Sequence, residues 1–453
     1  MSRFGTPARR TALTVGAVLG VVLVGMAPVI ASSGVGSGAG GGGTSTSGKS
    51  PTSSPSSTPT SSPTGSPTGS PTGQPTSPSE PPTPRWPRTN GPSVPGAPDH
   101  YLPPGGAKFN YPLGSRAQQR ILFTHIIRSI NSTTRGSNIR IAVFSFEDPR
   151  TSDALIAAYR RGVHVKLVFN STSVYPSMTR VRQVIGSDIN SRSFVVFCHQ
   201  SCRGTGGQMH AKYFSFNRVG SERDITMVGS NNLTNHNSVA QWSDLYTVVN
   251  DKSYFLLYRH WFSQLKHDTP VAEPYETKTS GDDVVDIAPL SLSQEPDPIL
   301  TAIKPMTCEY TDGDVDPSSP DPDKIRHSKI WVAAHAWNGT RGRRIAQAIA
   351  AREREGCQVK VFYGIGMGGA VMAILRGSGV AMTPGRHAHV RTHEKLMIFQ
   401  GTYAGVAGST LAWTGSHNWS NRALGRDDLI VRISDPTVTA QYVAQFAWMW
   451  HHG

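Results

Sequence analysis

The chain is poor in cysteine and in acidic side chains. Four cysteines occur in 453 residues, and no two of them form a Cys-x-x-Cys pair, the spacing on which many structural zinc sites are built. Asp and Glu number 30 against 44 Lys and Arg, so the formal net charge is +14. The first absence weakens a zinc-domain interpretation, and the second favours a polyanionic partner such as nucleic acid or an anionic lipid surface.

The N-terminal region lacks the composition of a folded domain. Residues 32–98 are rich in Gly, Ser, Thr and Pro and contain the short repeat PTGSPTGSPTGQPT. Such a segment buries too little apolar surface to offset its ordering entropy, so we predict a disordered tether. Six basic residues and one acidic residue precede Asp99, which accounts for +5 of the net charge and leaves +9 for the rest of the chain.

A leader precedes the tether. Three arginines come before an uncharged apolar run over residues 11–31, which ends in the small-residue pattern of a cleavage site. We interpret residues 1–31 as a secretory signal peptide and expect a secreted, extracellular protein. The run is also long enough to span a bilayer, so an uncleaved membrane signal anchor is the alternative.

Export makes disulfide bonds the expected state of the cysteines. We pair Cys198 with Cys202 and Cys308 with Cys357, because each pair then stays within one half of the repeat described next. A zinc site is the competing interpretation.

The remainder of the chain passes twice through the same order of elements. The first copy places strand-like IRIAVFSF and VHVKLVF around helix-like SDALIAAYRRG, and the second places KIWVAAHAW and CQVKVFYG around RRIAQAIAAREREG. This alternation predicts right-handed βαβ units in largely parallel sheets. We therefore predict an α/β fold of two halves, residues 99–268 and 296–453, with residues 269–295 as their connection and an insertion loop at 309–324.

One phosphate-binding pattern is a decoy. Residues 364–369 match GxGxxG between a strand and a helix. No carboxylate follows at the distance needed to hold a ribose. We interpret the glycines as a tight turn.

Each copy then carries a polar motif: HAKYFSF leads to GSNNLTN, and HEKLMIF leads to GSHNWSN. His210 and Lys212 lie two residues apart, so they point to the same face of a strand, as do His393 and Lys395. One His-x-Lys carries little information, and solvated surface histidines are the simpler interpretation. Two copies, each reaching a Gly-Ser-x-Asn turn within 19 or 22 residues, are a strong signal of a site.

These residue types fit the cleavage of a phosphodiester, which requires neutralised non-bridging oxygens, attack on phosphorus and a protonated leaving group. The lysines bracket the phosphate, asparagine amides add donors, one neutral histidine attacks and the other protonates the leaving oxygen. An attacking imidazole needs its tautomer fixed by a carboxylate. We assign that role to Asp244 and Asp428, with Asp427 as a competitor. The candidate catalytic residues are His210, Lys212, His393, Lys395, Asn232, Asn418, Ser230, Ser416, Asp244 and Asp428. We expect no metal and no cofactor.

The paired motifs resemble those of the phospholipase D superfamily, in which His-x-Lys-x4-Asp is followed by Gly-Ser-x-Asn. The resemblance implies a duplicated βαβαβ sandwich with two pseudo-twofold related halves, one shared metal-independent active site and a phosphohistidine intermediate. It also implies that His210 is the nucleophile and His393 the general acid. The chain departs from the motif at Asn217 and Gln400, where the family has aspartate.

The resemblance leaves the substrate open. We expect a secreted, monomeric phosphodiesterase that hydrolyses the head-group bond of phospholipids at a membrane surface. An extracellular enzyme acting on nucleic acid is the second hypothesis, since the +9 balance of the folded part suits a polyanion. A non-catalytic surface-binding module on a long tether is the third.

Overall fold

The computed structural model describes residues 96–290 and 297–453. The predicted signal peptide and nearly all of the predicted tether lie outside these ranges. Within them, no helix is long and apolar enough to cross a membrane.

The first half contains the elements of one mixed sheet and its covering helices. Its strands are β1 (Gly106–Phe109), β2 (Asn138–Val143), β3 (His164–Asn170), β4 (Phe194–Cys198), β5 (Lys212–Val219), β6 (Glu222–Gly229), β7 (Gln241–Trp242) and β8 (Asp244–Val248). Its helices are α1 (Arg116–Gln119), α2 (Ile121–Asn131), α3 (Pro149–Arg160), α4 (Pro176–Ile185), α5 (Asn235–Ala240) and α6 (Lys252–Leu265).

The second half repeats this plan with additions. Its strands are β9 (Glu276–Ser280), β10 (Asp283–Ile287), β11 (Met306–Thr307), β12 (Glu309–Thr311), β13 (Ile325–His327), β14 (Lys329–Trp337), β15 (Gln358–Met367), β16 (Ala381–Thr383), β17 (Arg391–Thr392), β18 (Lys395–Tyr403), β19 (Val406–Gly415) and β20 (Leu429–Ile433). Its helices are α7 (Pro298–Ile303), α8 (Asp312–Val315), α9 (Gly339–Arg354), α10 (Gly369–Gly377), α11 (Asn421–Leu424) and α12 (Pro436–His452).

Aspartate caps start several of these helices. Asp148, Asp251 and Asp435 each accept a hydrogen bond from a backbone N–H of the first turn, in α3, α6 and α12. In α3 and α12 a proline follows the cap, where its missing N–H costs nothing. The sequence therefore marks where the helices that cover the sheets begin.

The two large sheets are mixed, so the prediction of largely parallel sheets is wrong. The first runs β1-β8-β6-β5-β2-β3-β4, and only the β2-β3-β4 part is parallel. The second runs β16-β15-β14-β18-β19-β20-β10-β9, with β11 beside β18 and only β14, β15 and β16 parallel. In each half the motif strands form an antiparallel hairpin instead of a βαβ unit. In the second half the hairpin turn is Ala404-Gly405, and both residues have positive φ, as a tight two-residue hairpin turn requires.

Two predicted loops carry structure. The predicted connection, residues 269–295, includes the β9-β10 hairpin, and β10 pairs antiparallel with β20 at the edge of the second sheet. The predicted insertion loop at 309–324 includes β12 and α8, and β12 pairs with β13 in a small separate sheet. Alternating apolar residues in DVVDI form the buried face of β10, so this stretch covers a sheet edge that would otherwise be open.

The apolar core has three parts. One lies between the first sheet and helices α2, α3 and α4, and another between the second sheet and α7, α9 and α10. The central part joins residues of both sheets to α6 and α12, including Tyr213, Trp261, Ile398 and Phe446. The two halves therefore share one core, and the expected α/β class with duplicated halves is confirmed.

Both predicted disulfides are present. Cys198 bonds to Cys202, with 5.3 Å between their Cα atoms, and Cys308 bonds to Cys357, with 4.5 Å. The four sulfurs are thereby used within disulfides, which confirms the pairing and removes the zinc alternative.

The glycines of the GxGxxG stretch do not form a turn, because β15 continues through Met367. A Cβ atom on Gly364 would lie 2.6 Å from the carbonyl oxygen of Thr392, and one on Gly366 would lie 2.5 Å from the Cβ of Ala336. The register between β14 and β15 shifts at this point. The glycines therefore permit a close approach of three backbone segments.

Candidate active site

Short parallel pairings between the halves bring the two motifs together. Strand β17, just before His393, pairs with β7, and the His393 N–H donates to the carbonyl of Trp242 (2.8 Å). Met209 forms a parallel bridge with Asp427, whose carbonyl accepts from the N–H of His210 (3.2 Å). Each histidine therefore lies beside the segment that carries the aspartate of the other half.

The His-x-Lys strands place their side chains as the alternation predicts. Lys212 donates to the carbonyl oxygen of His210, and Lys395 donates to the carbonyl oxygen of His393. All four residues are at most 6% exposed. Each ammonium is thus fixed under the backbone of its own histidine, inside a site shielded from bulk water.

A carboxylate of the second half orients the histidine of the first. His210 Nδ1 lies 2.8 Å from Asp428 Oδ1, which also accepts from the hydroxyl of Ser416 (2.5 Å). With Nδ1–H donated to the carboxylate, Nε2 keeps its lone pair. Ser416 thus acts on Asp428, as a support for the carboxylate.

The second histidine is held differently. His393 Nδ1 donates to the backbone carbonyl of Ser230 (2.9 Å). The Asp244 carboxylate accepts from the Ser230 hydroxyl (2.5 Å), the Thr414 hydroxyl and the Tyr442 hydroxyl (3.0 Å). Among the described residues, Asp244 forms no hydrogen bond to an imidazole. The expectation that both aspartates contact a histidine is therefore wrong for Asp244. Its carboxylate is held by hydroxyl groups, and one of them belongs to Ser230, whose carbonyl accepts from His393.

Asp427 has another partner. Its carboxylate accepts from the hydroxyl of Ser201 (2.9 Å) and the N–H of Cys202 (2.5 Å). Burial raises the pKa of Asp427 to about 7. Of the two neighbouring aspartates, the structure therefore places Asp428, not Asp427, against His210.

Burial and positive neighbours favour the uncharged forms of the basic groups. Burial first, and then the adjacent lysine, hold the pKa of His210 and of His393 well below the usual value. Burial lowers the pKa of Lys395 to about 7 and that of Lys212 well below its usual value. The charge of Lys395 also lowers the pKa of His210, and the charge of Lys212 lowers the pKa of His393. The four groups therefore form one electrostatic unit that a bound anion would stabilise.

The asparagines of the two turns have free acceptors. The side-chain oxygens of Asn232 and Asn418 are buried without a hydrogen-bond partner in the part of the chain that the structure describes. The Asn232 N–H is held by the side chain of Asn237, and the Asn418 carbonyl accepts from Arg341 (2.9 Å). Fixed backbones with unsatisfied amide groups are typical of positions that a substrate or water completes.

Sequence reasoning missed two further histidines. The ring of His335 lies 4.5 Å, centroid to centroid, from that of His393, and burial lowers its pKa to about 3. His417, the variable residue of GSHN, lies 3.9 Å from Asp428 Oδ2, and burial lowers its pKa to about 3 as well. An alignment of KIWVAAHAW with IRIAVFSF would have revealed His335, because it replaces Phe144.

Comparison with known proteins decides the family. The family model described as "Cardiolipin synthase, PLD-like domain" matches residues 126–266 and 324–450, more than half of the chain. The chain belongs to the phospholipase D-like family. Each match contains one complete His-x-Lys and Gly-Ser-x-Asn motif. Members of this superfamily act on phosphodiesters. The comparison with curated protein sequences found no match.

Several solved structures are similar to this chain. Polyphosphate kinase from Porphyromonas gingivalis is 12% identical, with a TM-score of 0.52 over 76% of this chain and 47% of that one. The chain thus spans about half the length of the kinase. Phosphatidylserine synthase from Haemophilus influenzae Rd KW20 is 13% identical (TM-score 0.45; 76% and 85% covered). Nuc from Salmonella typhimurium, a phospholipase D family member, is 19% identical (TM-score 0.25; 35% and 91% covered).

A cavity of about 830 Å³ adjoins the paired motifs of this phospholipase D-like site. Arg426 lies on its wall, precedes Asp427 and donates to the side chain of Gln208 (3.0 Å). Its charge lowers the pKa of His210 and of both motif lysines. The apolar residues of the lining are Val271, Ala272, Pro274, Pro289 and Leu290. The cavity therefore offers two cations, Arg422 and Arg426, and an apolar wall, close in sequence to both motifs.

Proposed function

We propose that the protein is a phospholipase D-type phosphodiesterase that hydrolyses the head-group bond of phospholipids through a phosphohistidine. One observation carries the proposal. Two buried imidazoles have their Nδ1 atoms engaged, His210 by Asp428 and His393 by the Ser230 carbonyl, and the backbone carbonyl of each histidine accepts from the lysine of its own motif. Both Nε2 atoms are thereby left for a substrate.

The first step forms the covalent intermediate. Lys212 and Lys395 bind the non-bridging oxygens of the diester, and its negative charge raises the pKa of the neighbouring His393 in the complex. His210 Nε2 then uses its lone pair to form an N–P bond while the P–O bond to the head-group alcohol breaks. The leaving oxygen takes the proton from His393 Nε2.

The second step releases the product. A water molecule gives a proton to His393, and its oxygen forms a new P–O bond while the N–P bond to His210 breaks. The sum of both steps converts a diester and water into a phosphomonoester and an alcohol. An acceptor alcohol in place of water would give a new diester by the same route.

The difference between the two histidine environments supports His210 as the nucleophile. A carboxylate behind His210 stabilises the positive charge that develops on its ring when Nε2 bonds to phosphorus. His393 has a neutral carbonyl behind it, which fixes the ring but leaves its proton easier to give away. This arrangement suits a general acid.

The lining of the neighbouring cavity supports a phospholipid substrate. Five of its residues are apolar, which suits glycerol and the first acyl carbons, while Arg426 suits the phosphate. No aromatic residue lines the cavity in the part of the chain that the structure describes, and enzymes that track single strands use aromatic side chains to stack bases. The positive net charge supports nucleic acid as the second candidate.

The deciding experiment offers the purified full chain two substrates, phosphatidylcholine vesicles and single-stranded DNA. Choline release that His210→Ala lowers by about 10³-fold or more supports the proposal. His327→Ala, which removes an exposed histidine of β13, is the matched control and should retain full activity. Cleavage of DNA without choline release would contradict the phospholipid proposal and support a nucleic-acid substrate. Turnover of neither substrate would support the non-catalytic binding module.

The intermediate can be tested directly. Reactions with radiolabelled phosphate in the lipid, quenched with alkaline denaturant, should leave label on the wild-type chain that is stable in base and is lost in acid, as expected of a phosphohistidine. The His393→Ala variant should accumulate more label when the leaving group needs no proton. Label that persists in His210→Ala would exclude His210 as the attacking residue.

A further inference from the structure

A second cavity, of about 730 Å³, lies on the first half between α6 and the beginnings of β2, β3 and β4. Arg140 in β2 lines it and precedes Phe144 by four residues, which places it about 13 Å along the strand from the ring that contacts His210. The two cavities share no lining residue. It is thus a separate site.

The wall of this cavity is strongly basic. Its cationic residues are Arg140, Lys166, Arg192, Arg259 and Lys266. Among the described residues no carboxylate lines it, and its other polar residues are Asn190, Ser191, His260 and Ser263. Arg259, Ser263 and Lys266 recur at helical spacing, so they form one face of α6 directed at the cavity. The chain thus places five cationic side chains around one cavity that is open to solvent.

These charges are not neutralised within the protein. In residues 96–290 and 297–453, none of the five cations forms an ion pair with a carboxylate. Arg140 donates to the side-chain oxygen of Asn217 (2.8 Å), and Lys166 donates to that of Asn138 (2.8 Å). Both partners are neutral amides. Burial, and then the charge of Arg140, lower the pKa of Lys166 to about 8, so the cations repel one another.

Arg140 is the most deeply buried of the five cations, so its desolvation should cost the most free energy. Its side chain is 8% exposed and its guanidinium lies over the ring of Phe255, 5.7 Å from the centroid. A buried guanidinium normally has a carboxylate partner, because an unpaired buried charge is expensive. An external anion would meet this requirement.

Asn217 explains why the charge persists. It stands five residues after Lys212, at the position where the family motif has aspartate. A carboxylate there would lie within hydrogen-bond distance of Arg140 and cancel its charge, whereas an amide satisfies one N–H and leaves the charge intact. The departure from the motif and the basic cavity are therefore parts of one arrangement.

We propose that this cavity is a binding site for an anion that carries two or more phosphate groups. Five cations exceed what a single phosphate needs, and the volume admits a ligand of several phosphate units or a phosphorylated head group. The ligand binds through charge-assisted hydrogen bonds to Arg140, Lys166 and the α6 face. This site does not depend on the reaction at His210 and His393.

Calorimetric titration of the full chain with inorganic pyrophosphate tests the site. The wild type should bind two molecules, one at the motif lysines and one in the cavity. Arg259→Glu/Lys266→Glu should abolish the second site, and the nearly isosteric Asn217→Asp should weaken it about tenfold, since the new carboxylate competes for Arg140. Arg354→Glu/Arg376→Glu, an equal charge reversal on exposed helix ends of the second half, should change neither site.

The same variants distinguish the sources of the phosphate. Their binding to phosphatidylcholine vesicles, with and without a phosphoinositide, reports a lipid head group, and the pyrophosphate titration reports a free ligand. Loss of either binding in Arg259→Glu/Lys266→Glu, but not in the control, supports the site. Unchanged binding of both ligands in that variant and in Asn217→Asp would overturn it. Loss of choline release in the same variant would place the cavity in the catalytic machinery and overturn its independence.

Discussion

Phe144 and His335 occupy equivalent positions in the two halves. Each follows the residue that pairs with the motif lysine, and each packs its ring against the histidine of its own half, at 4.8 Å and 4.5 Å between centroids. One partner is a hydrocarbon ring and the other an imidazole. The two sides of the duplicated site therefore differ in chemistry at equivalent backbone positions.

The replacement His335→Phe tests that difference. We expect turnover to fall about tenfold or more, because His393 loses a polar neighbour when it becomes charged, while the affinity for substrate changes little. Initial rates and their pH profile measure the effect. Phe144→His is the reciprocal control, and equal turnover in the wild type and His335→Phe would contradict a role for the imidazole.

The two aspartates should differ in effect. Asp428→Asn removes the charge that contacts His210, and we expect about a 10²- to 10⁴-fold loss of turnover. Asp244→Asn acts only through Ser230 and should cost less in rate, with a larger share of its effect on stability. Single-turnover rates and thermal unfolding of both variants separate the outcomes. A greater rate loss in Asp244→Asn would reverse the assignment of roles.

The low pKa of Lys395 predicts the pH dependence of kcat/KM. The value of about 7 in the free protein means that the ammonium is lost as the pH rises through 7, so phosphate binding and kcat/KM should fall on the alkaline side. His210 stays neutral to well below pH 6.5, so the acidic limb should lie lower than that of a free imidazole. Lys395→Arg keeps its charge and should move the alkaline limb upward. If the alkaline limb of the profile is unchanged in Lys395→Arg, a group other than Lys395 causes that limb.

Glu394 predicts the pH dependence of stability. It is fully buried, burial raises its pKa well above the usual 4.5, and neither side-chain oxygen has a hydrogen-bond partner among the described residues. The unfolded chain therefore releases this proton above pH 4.5 while the folded protein retains it, so the free energy of unfolding falls as the pH rises.

The variant Glu394→Gln cannot ionise and should be more stable than the wild type at neutral pH, by roughly 1–3 kcal/mol, with no gain near pH 4. Thermal unfolding across this pH range measures the difference. Glu273→Gln, an exposed site, is the control. A gain that is independent of pH would mean that ionisation is not its cause.

The disulfides should stabilise unequally. Cys308–Cys357 spans 49 residues and Cys198–Cys202 spans 4, which gives about 4 and about 2 kcal/mol from loop entropy alone. Denaturant unfolding of the two Cys→Ser pairs measures this. The shorter bridge should instead affect the site, because the N–H of Cys202 holds Asp427. Equal losses of stability would contradict the entropic account.

The side chains of the site could be predicted from the sequence, but the backbone groups that hold them could not. The two His-x-Lys pairs follow from strand alternation and duplication, and Asp428 follows from the need for a carboxylate. The partner of His393 is a carbonyl oxygen, which every residue possesses, so no letter of the sequence marks Ser230 for this role. The same holds for the parallel contacts of Met209 and Thr392, which decide that each histidine meets the other half.

The direction of neighbouring strands in the sheets was harder to predict than the limits of the individual strands. The limits of β14 and β20 agree with the apolar patterns, but the pattern of a buried strand is the same in parallel and antiparallel sheets. The hairpin turn at Ala404-Gly405 is not marked in the sequence, because alanine rarely adopts the positive φ that it has here. The sequence predicts a connection where β9 and β10 form a sheet edge, because the alternation in these strands is short.

The exchange of partners between the halves has an evolutionary consequence. A single half holds an imidazole without its orienting group and a Gly-Ser turn without its imidazole, so selection for activity acts on both copies at once. Fusion in one chain fixes their ratio and removes the need for the copies to stay identical. The outer faces of the two halves are then free to differ, and the basic cavity lies on the first half.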